Sequence, residues 1–374
     1  MSRTGKALIW LAVVAAAISV LFAVSLALPV PAWRTGRLPA PPLPVVENGP
    51  KIEAPERIWI DTDAACGIAR RADPDDCLAL MLLARTPDIE IVGISTVFGN
   101  AELDMTDRTT RRLASKLRED GARVPAVRRG ADAPSASSAP AQDALRRALA
   151  DGPLTLIALG PLTNIAAALE GRPDLQANVV RIVAVMGRRP GHIFHPSEGN
   201  GEGVLFGHGP IFRDLNFDKD REAATKVLAM GLPLSLIPYD VAREVSLTGP
   251  DLDQIARSGV TGAWISSRAQ GWLEFWQEEI GQDGFHPFDL LAAAYALDSY
   301  LFDCAAADAW VGKDERLSNV WFYDPVALQV GGTAERPADP RAENEAIYCV
   351  TADAALHRRL MDGLTGMGRQ ASID

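Results

Sequence analysis

The chain has 374 residues, 48% hydrophobic and 23% charged, a composition that excludes a disordered or fibrous protein. Its 48 Asp and Glu outnumber 37 Lys and Arg, giving a formal charge of −11. With no basic, aromatic-studded stripe, this balance argues against nucleic-acid polymers and for a neutral substrate or a metal. The four cysteines (Cys66, Cys77, Cys304 and Cys349) form no CxxC pair, so a zinc site is not expected. Cys77 reads as a small core residue on the apolar face of a helix; a disulfide requires an oxidising compartment, and sequence alone does not pair the partners.

Taken in chain order, residues 1–6 are a short basic start carrying Arg3 and Lys6. Residues 7–28 are uncharged over 22 positions, a length that predicts a membrane-spanning helix or signal anchor. A Ser-Leu-Ala triplet at 25–27 offers the alternative of cleavage and secretion. The flanking charges nearly balance, so orientation is weakly set; the globular part is expected outside the cytoplasm. Residues 29–51 are proline-rich and read as a semi-rigid tether. The catalytic domain is expected over 52–374 as a single unit, since no second linker interrupts it.

From Ile52 onward, strand patterns at Ile58–Asp61, Ile89–Thr96, Leu154–Leu159, Val179–Met186 and Leu234–Pro238 alternate with helical ones. The helices are expected at Asp76–Arg85, Asp104–Leu117, Thr163–Leu169 and Asp220–Ala229. This alternation predicts an α/β fold: a mainly parallel central sheet flanked by helices. A further helical stretch, Thr261–Gln277, is rich in Trp and Phe and reads as core cover or as a pocket wall.

The densest chemistry lies at RIWIDTDAACGIARRADPDDCLAL, Arg57 to Leu80. Asp61, Asp63, Asp73, Asp75 and Asp76 are expected to converge where the first strand ends and the next helix starts, the edge at which open α/β sheets bind ligands. One of them can serve as a helix cap. Capping does not account for the rest, and hard oxygen ligands suit Ca2+ or Mg2+.

The Asp-Thr-Asp and Asp-Asp pattern resembles the DxDPGxDD signature of the inosine–uridine preferring nucleoside hydrolase family. Further segments follow in the family's order: Thr96–Asn100 (TVFGN), Gly160–Ala166 (GPLTNIA), Val183–Gly187 (VAVMG), Asp214–Phe217 (DLNF) with Asp220–Ala224 (DREAA), and Phe288-Asp289. The resemblance implies a nucleoside-hydrolase-like fold and Ca2+ held by Asp63, Asp76, Asp289 and the backbone carbonyl of Leu159. It implies that Asp63 is the base activating a water, and that Asp75, Asn100, Met186, Asp214 and Asn216 meet the substrate. The substrate would be a nucleoside or a related ribosylated small molecule. Family members are commonly homo-oligomers, although no interface signature stands out in this chain.

Four departures from the family pattern matter. Ten residues, 64–73, stand where the family has a short Pro-Gly turn, and they carry Arg70 and Arg71, read either as a solvent-exposed pair or as ligands for an anionic group on the substrate. Phe288 replaces the family's His, leaving His286 as a replacement proton donor. Asp214 replaces a Glu. The glycine-rich stretch 188–213 holds Asn200 and three more candidate donors, His192, His195 and His208. The alternative reading is a membrane-tethered sugar- or nucleoside-binding protein with little hydrolase activity.

Overall fold

The computed structural model describes residues 10, 13–20, 50–192, 214–317 and 326–366. Among them no helix is long and apolar enough to cross a membrane. Of the anchor expected over 7–28, only Trp10 and a helix over 13–20 are described. The lack of such a helix among the described residues overturns the single-pass membrane placement expected over 7–28; residues 1–6, the rest of 7–28 and most of the tether lie outside the described residues. Where the chain becomes continuous, Lys51 Nζ donates to the Phe302 carbonyl at 2.7 Å, and the Ile52 amide and carbonyl pair with Ser299 Oγ at 2.9 Å each.

The first half is built of βα units. Strand β1 is Arg57–Thr62, and helix α1 (Asp75–Arg85) follows it. Then come β2 (Glu90–Thr96), α2 (Leu103–Glu119), β3 (Val127–Arg129), α3 (Pro140–Ala150), β4 (Leu154–Ala158), α4 (Thr163–Leu169) and β5 (Val179–Ala184). The chain resumes with α5 (Leu215–Lys219), α6 (Arg221–Ala229), β6 (Leu234–Leu236), β7 (Leu247–Thr248), α7 (Gly249–Ala256) and α8 (Val260–Phe275). A single π-helical turn, Trp276–Ile280, extends α8. Last come β8 (Gly284–Phe285), α9 (Phe288–Asp298), β9 (Phe302–Lys313), β10 (Val326–Gly331), β11 (Ala342–Ala352) and α10 (Leu356–Thr365).

Nine strands form one sheet in the order β10-β9-β11-β6-β5-β4-β1-β2-β3. Every pair from β11 to β3 is parallel, while β9 lies antiparallel to both β10 and β11. The pleat divides the core. Ile58 and Ile60 point into one apolar layer with α1, α8 and α9, whereas Trp59 points into the other with α3, α4 and α6. Helix α9 (FDLLAAAYALD) is buried on nearly every side, as its all-round apolar sequence requires. It packs along α1, and that contact carries Asp289 to the start of α1.

The cysteines pair in two disulfides. Cys304–Cys349 joins register partners of β9 and β11. Cys66–Cys77 ties the segment after β1 to α1. Cys77 is buried on its helix, as expected of a small core residue, and its partner, which the sequence left open, is Cys66.

Candidate active site

Strand β1 is flanked by β4 on one side and β2 on the other, so the chain reverses its winding direction at β1. Such switch points open a crevice at the carboxyl edge of a parallel sheet. The end of β1 delivers Asp63 to that edge. The start of α1 delivers Asp75 and Asp76, and the start of α9 delivers Asp289. One carboxylate oxygen from each of Asp63, Asp76 and Asp289 lies within 4.8 Å of the other two, and all three residues are buried. No other group of three or more His, Cys, Asp or Glu with this spacing occurs among the described residues.

The surrounding backbone holds these acids in place. The Asn100 amide donates to Asp63 Oδ2 at 2.7 Å, and its side-chain amide reaches Asp63 Oδ1 at 3.4 Å and Asp76 Oδ2 at 3.2 Å. Asp76 Oδ1 accepts from the Asp63 amide at 3.2 Å and from the Thr62 hydroxyl. Asp75 Oδ2 accepts from the Asp289 amide at 2.9 Å, which locks α9 to α1. Beside Asn100, Gly99 is obligatory: a Cβ there would stand 1.9 Å from Asp63 Oδ2.

Burial pushes all these carboxyls up, and their mutual charge pushes further. Asp76 is raised to about 7, by burial and then by the Asp75 charge. Asp63 is raised well above the usual carboxylate range by burial and the neighbouring Asp76. For Asp289 the causes are burial, then Asp75 and Asp76. A cluster with this much unbalanced negative charge, donating only oxygen, fits a hard divalent cation of the Ca2+ or Mg2+ kind.

The cluster adjoins, through Asp289 and the neighbouring Asp75 and Asn100, a cavity of about 370 Å³, a size suited to a small ligand. Asp75, Asn100, Leu159, Met186, Asp214, Asn216 and Asp289 all line it. Tyr239, Trp272 and Phe288 line it as well. Tyr239 and Phe288 lie 6.0 Å apart between ring centres, an apolar face against which a planar base can stack.

Residues 58–355 match the family model for inosine-uridine preferring nucleoside hydrolases. The chain belongs to that family. It is therefore a hydrolase of N-glycosyl bonds, built on the nucleoside hydrolase fold. Its sequence is 28% identical over 271 residues to the pyrimidine-specific ribonucleoside hydrolase RihA of Enterobacter sp. strain 638, covering 64% of this chain and 80% of the relative. It is 28% identical over 270 residues to the non-specific ribonucleoside hydrolase RihC of Escherichia coli strain E2348/69, covering 66% and 80%. Among solved structures, the plant nucleoside hydrolase PpNRh1 aligns with a TM-score of 0.65 at 19% identity, covering 83% of this chain and 99% of that one. The purine-preferring ribonucleoside hydrolase of Gardnerella vaginalis aligns at 0.62 and 18%, covering 84% and 99%.

Seen as a nucleoside hydrolase, the chain places most of the expected residues together and several elsewhere. Asp61 does not join the cluster. Its Oδ1 accepts from Ser95 and from Asn164 Nδ2 (2.8 Å), and burial raises it to about 7. Asn164, of the Leu-Thr-Asn segment, also bonds the Thr96 carbonyl and the Ala131 amide, so it ties loops together beneath the site. Asn216 lines the cavity, with its amide nitrogen on the carbonyls of Leu159 (2.7 Å) and Val185 (3.0 Å). Asp214 caps α5, accepting from the Phe217 and Gly187 amides, and burial raises it to about 7.

The expected proton donor His286 is not brought into the cavity. Its Nδ1 lies 2.9 Å from the Val245 carbonyl, and its ring sits edge-on to Trp276. His192 is also buried behind the cavity wall, 3.4 Å from Asp240. His195, Asn200 and His208 lie outside the described residues. Arg70 and Arg71 pair with acids of α8 and its π-turn: Arg70 with Glu274 and Glu278, Arg71 with Glu279. Trp272 lies in the aromatic stretch read as core cover or pocket wall, and it lines the cavity; Tyr239 was not expected there. Its only signal was its place just after a strand end.

Proposed function

We propose that this nucleoside hydrolase cleaves the N-glycosidic bond of a ribonucleoside or a closely related ribosylated small molecule, with Ca2+ bound at Asp63, Asp76 and Asp289. The observation that carries this reading is the convergence of those three buried carboxylates, within 4.8 Å of one another, beside a nucleoside-sized cavity that Asp289 itself lines. The carbonyl of Leu159 is the fourth ligand proposed; it accepts one bond from Asn216, and a carbonyl has a second lone pair. A cation held there supplies a Lewis acid that orients the sugar diol and acidifies water.

The chain's own residues account for the remaining chemistry. Asp63, aimed by the Asn100 amide, takes a proton from the attacking water at its carboxylate oxygen. As the bond to the base lengthens, positive charge grows on the ribose, and the carboxylates of Asp75 and Asp289 on the same wall stabilise it. Asp75 and Asn100 hold sugar hydroxyls, while Met186, Asp214 and Asn216 bound the far end of the sugar. The departing base meets Tyr239, Phe288 and Trp272. The related enzymes are named pyrimidine-specific, non-specific and purine-preferring, so base preference is read best from this aromatic wall rather than carried over.

The test is reducing-sugar release from purine and pyrimidine ribonucleosides, with CaCl2 and with chelator. Turnover abolished by chelator and restored by Ca2+ supports the reading; turnover indifferent to chelator removes the cation from it.

A further inference from the structure

The ten residues between Asp63 and Pro74 are pinned to the fold near both ends, while Gly67, Ala69, Arg70 and Arg71 between them are exposed. Cys66 is bonded to Cys77 of α1. Ala64, Ala65 and Cys66 are buried. The main chain of Arg70 runs so close to α8 that a Cβ on Gly271 would lie 2.8 Å from the Arg70 carbonyl oxygen. Arg70 and Arg71 then pair with Glu274, Glu278 and Glu279, and Arg71 also covers the Phe275 ring at 5.1 Å. The charges that suggested an anion site are thus matched within the protein. What the pinned segment presents to the cavity instead is Ala65, Ala72 and Asp73 beside Arg71.

We propose that Asp73 is a specificity residue of this enzyme, a carboxyl that holds a hydroxyl of the substrate's sugar and so selects glycosides with a free diol. The inference rests on the nucleoside reading of the same cavity. Asp73 lines that cavity next to Asp75, with the two carboxyls in hydrogen-bond contact. Both oxygens of Asp75 already accept backbone donors, Asp289 N at 2.9 Å and Asp76 N at 3.0 Å. Asp73 accepts one backbone donor, Asp75 N, at 3.2 Å on Oδ1. A carboxylate has about four lone-pair sites, so Asp73 brings the larger unused acceptor capacity to this wall. Hydroxyls satisfy it.

The experiment compares the full chain with D73N and D73A in CaCl2, using uridine, 2′-deoxyuridine and 3′-deoxyuridine as substrates. A second readout is the rise in melting temperature given by saturating D-ribose. D73A should lower kcat/KM for uridine about 10- to 100-fold, the worth of one hydrogen bond to a charged group. The penalty should fall below about 3-fold with whichever deoxy analogue lacks the hydroxyl that Asp73 holds. D73N, which keeps the shape and the Asp75 contact, should lose less. An equal penalty on all three substrates, or none, overturns the proposal, as does a parallel loss of Ca2+ affinity. If wild type turns over nothing but gains stability from D-ribose, the hydrolase reading fails alone. Loss of that gain in D73A then supports the proposal, and its persistence overturns it. A wild type that neither turns over nor responds to D-ribose sinks both.

Discussion

The cation site makes one variant, Asp289→Asn, change sign with metal. Asp289 faces Asp63 and Asp76 with carboxylate oxygens no more than 4.8 Å apart. Two unit charges at that distance repel by about 3.5 kcal/mol at an effective dielectric constant of about 20. Burial holds all three carboxyls above their usual range, which discounts that full-charge figure, so the repulsion relieved by an isosteric amide is about 1–3 kcal/mol. Metal-free D289N should therefore melt a few degrees above metal-free wild type. Saturating Ca2+ at 100 times its Kd adds about 2.7 kcal/mol to wild type, and the variant should gain little of it. Thermal denaturation in chelator and in CaCl2 gives all four values, and the order of the two proteins should invert between the buffers. If D289N melts below wild type in chelator, or gains as much from Ca2+, the assignment of these three acids to one cation is wrong.

Three further outcomes follow from the geometry. Gly99→Ala places a Cβ 1.9 Å from Asp63 Oδ2; the forced shift should cost about 1–3 kcal/mol and about 100-fold in activity, and a calorimetric Ca2+ affinity equal to wild type would contradict it. Asp61, Asp76 and Asp214 ionise near 3.8 when unfolded and about 7 when folded. The folded state binds more protons between those values, so stability of the metal-free protein should fall as pH rises from about 4 to about 7; a melting temperature that climbs from pH 5 to pH 8 in chelator would refute this. Replacing Cys66 and Cys77 by Ser frees a loop of sequence separation 11 and should cost about 3 kcal/mol in urea denaturation, against no measurable change if the close packing on α8 alone holds the segment.

The βα half of the molecule was legible because its strands are continuous apolar runs ended by turn residues, and their carboxyl ends carry the distinctive acids. The elements expected there agree with the observed ones to within a few residues (β5, for instance, ends at Ala184 rather than Met186), whereas β3 and α3 were not expected. The antiparallel strands β9, β10 and β11 were not expected. Their sequences, such as FDCAAADAWVGK, alternate small and polar residues with no strong strand propensity, and pairing across the sheet edge decides them. Asp63 and Asp76 were readable as acids at the end of the first strand and the start of the next helix, whereas Asp289 was reached only through the family resemblance. The direction of His286 was not, since two positions before Asp289 say nothing about which carbonyl its ring meets. Nor were the partners of Arg70 and Arg71, which lie 208 positions away on another helix.

The bond from the Asp289 amide to Asp75 spans 214 positions, and this separation sets a clock on synthesis. At about 5–20 residues per second, Asp75 and Asp76 leave the ribosome about 10–40 s before the helix that completes their site. During that interval the acids at the end of β1 have no third carboxylate and no apolar roof from α9. They stay hydrated and ordinary. The electrostatic tension of the finished centre is thus postponed until the last third of the chain arrives, and the early half is free to collapse without bearing it.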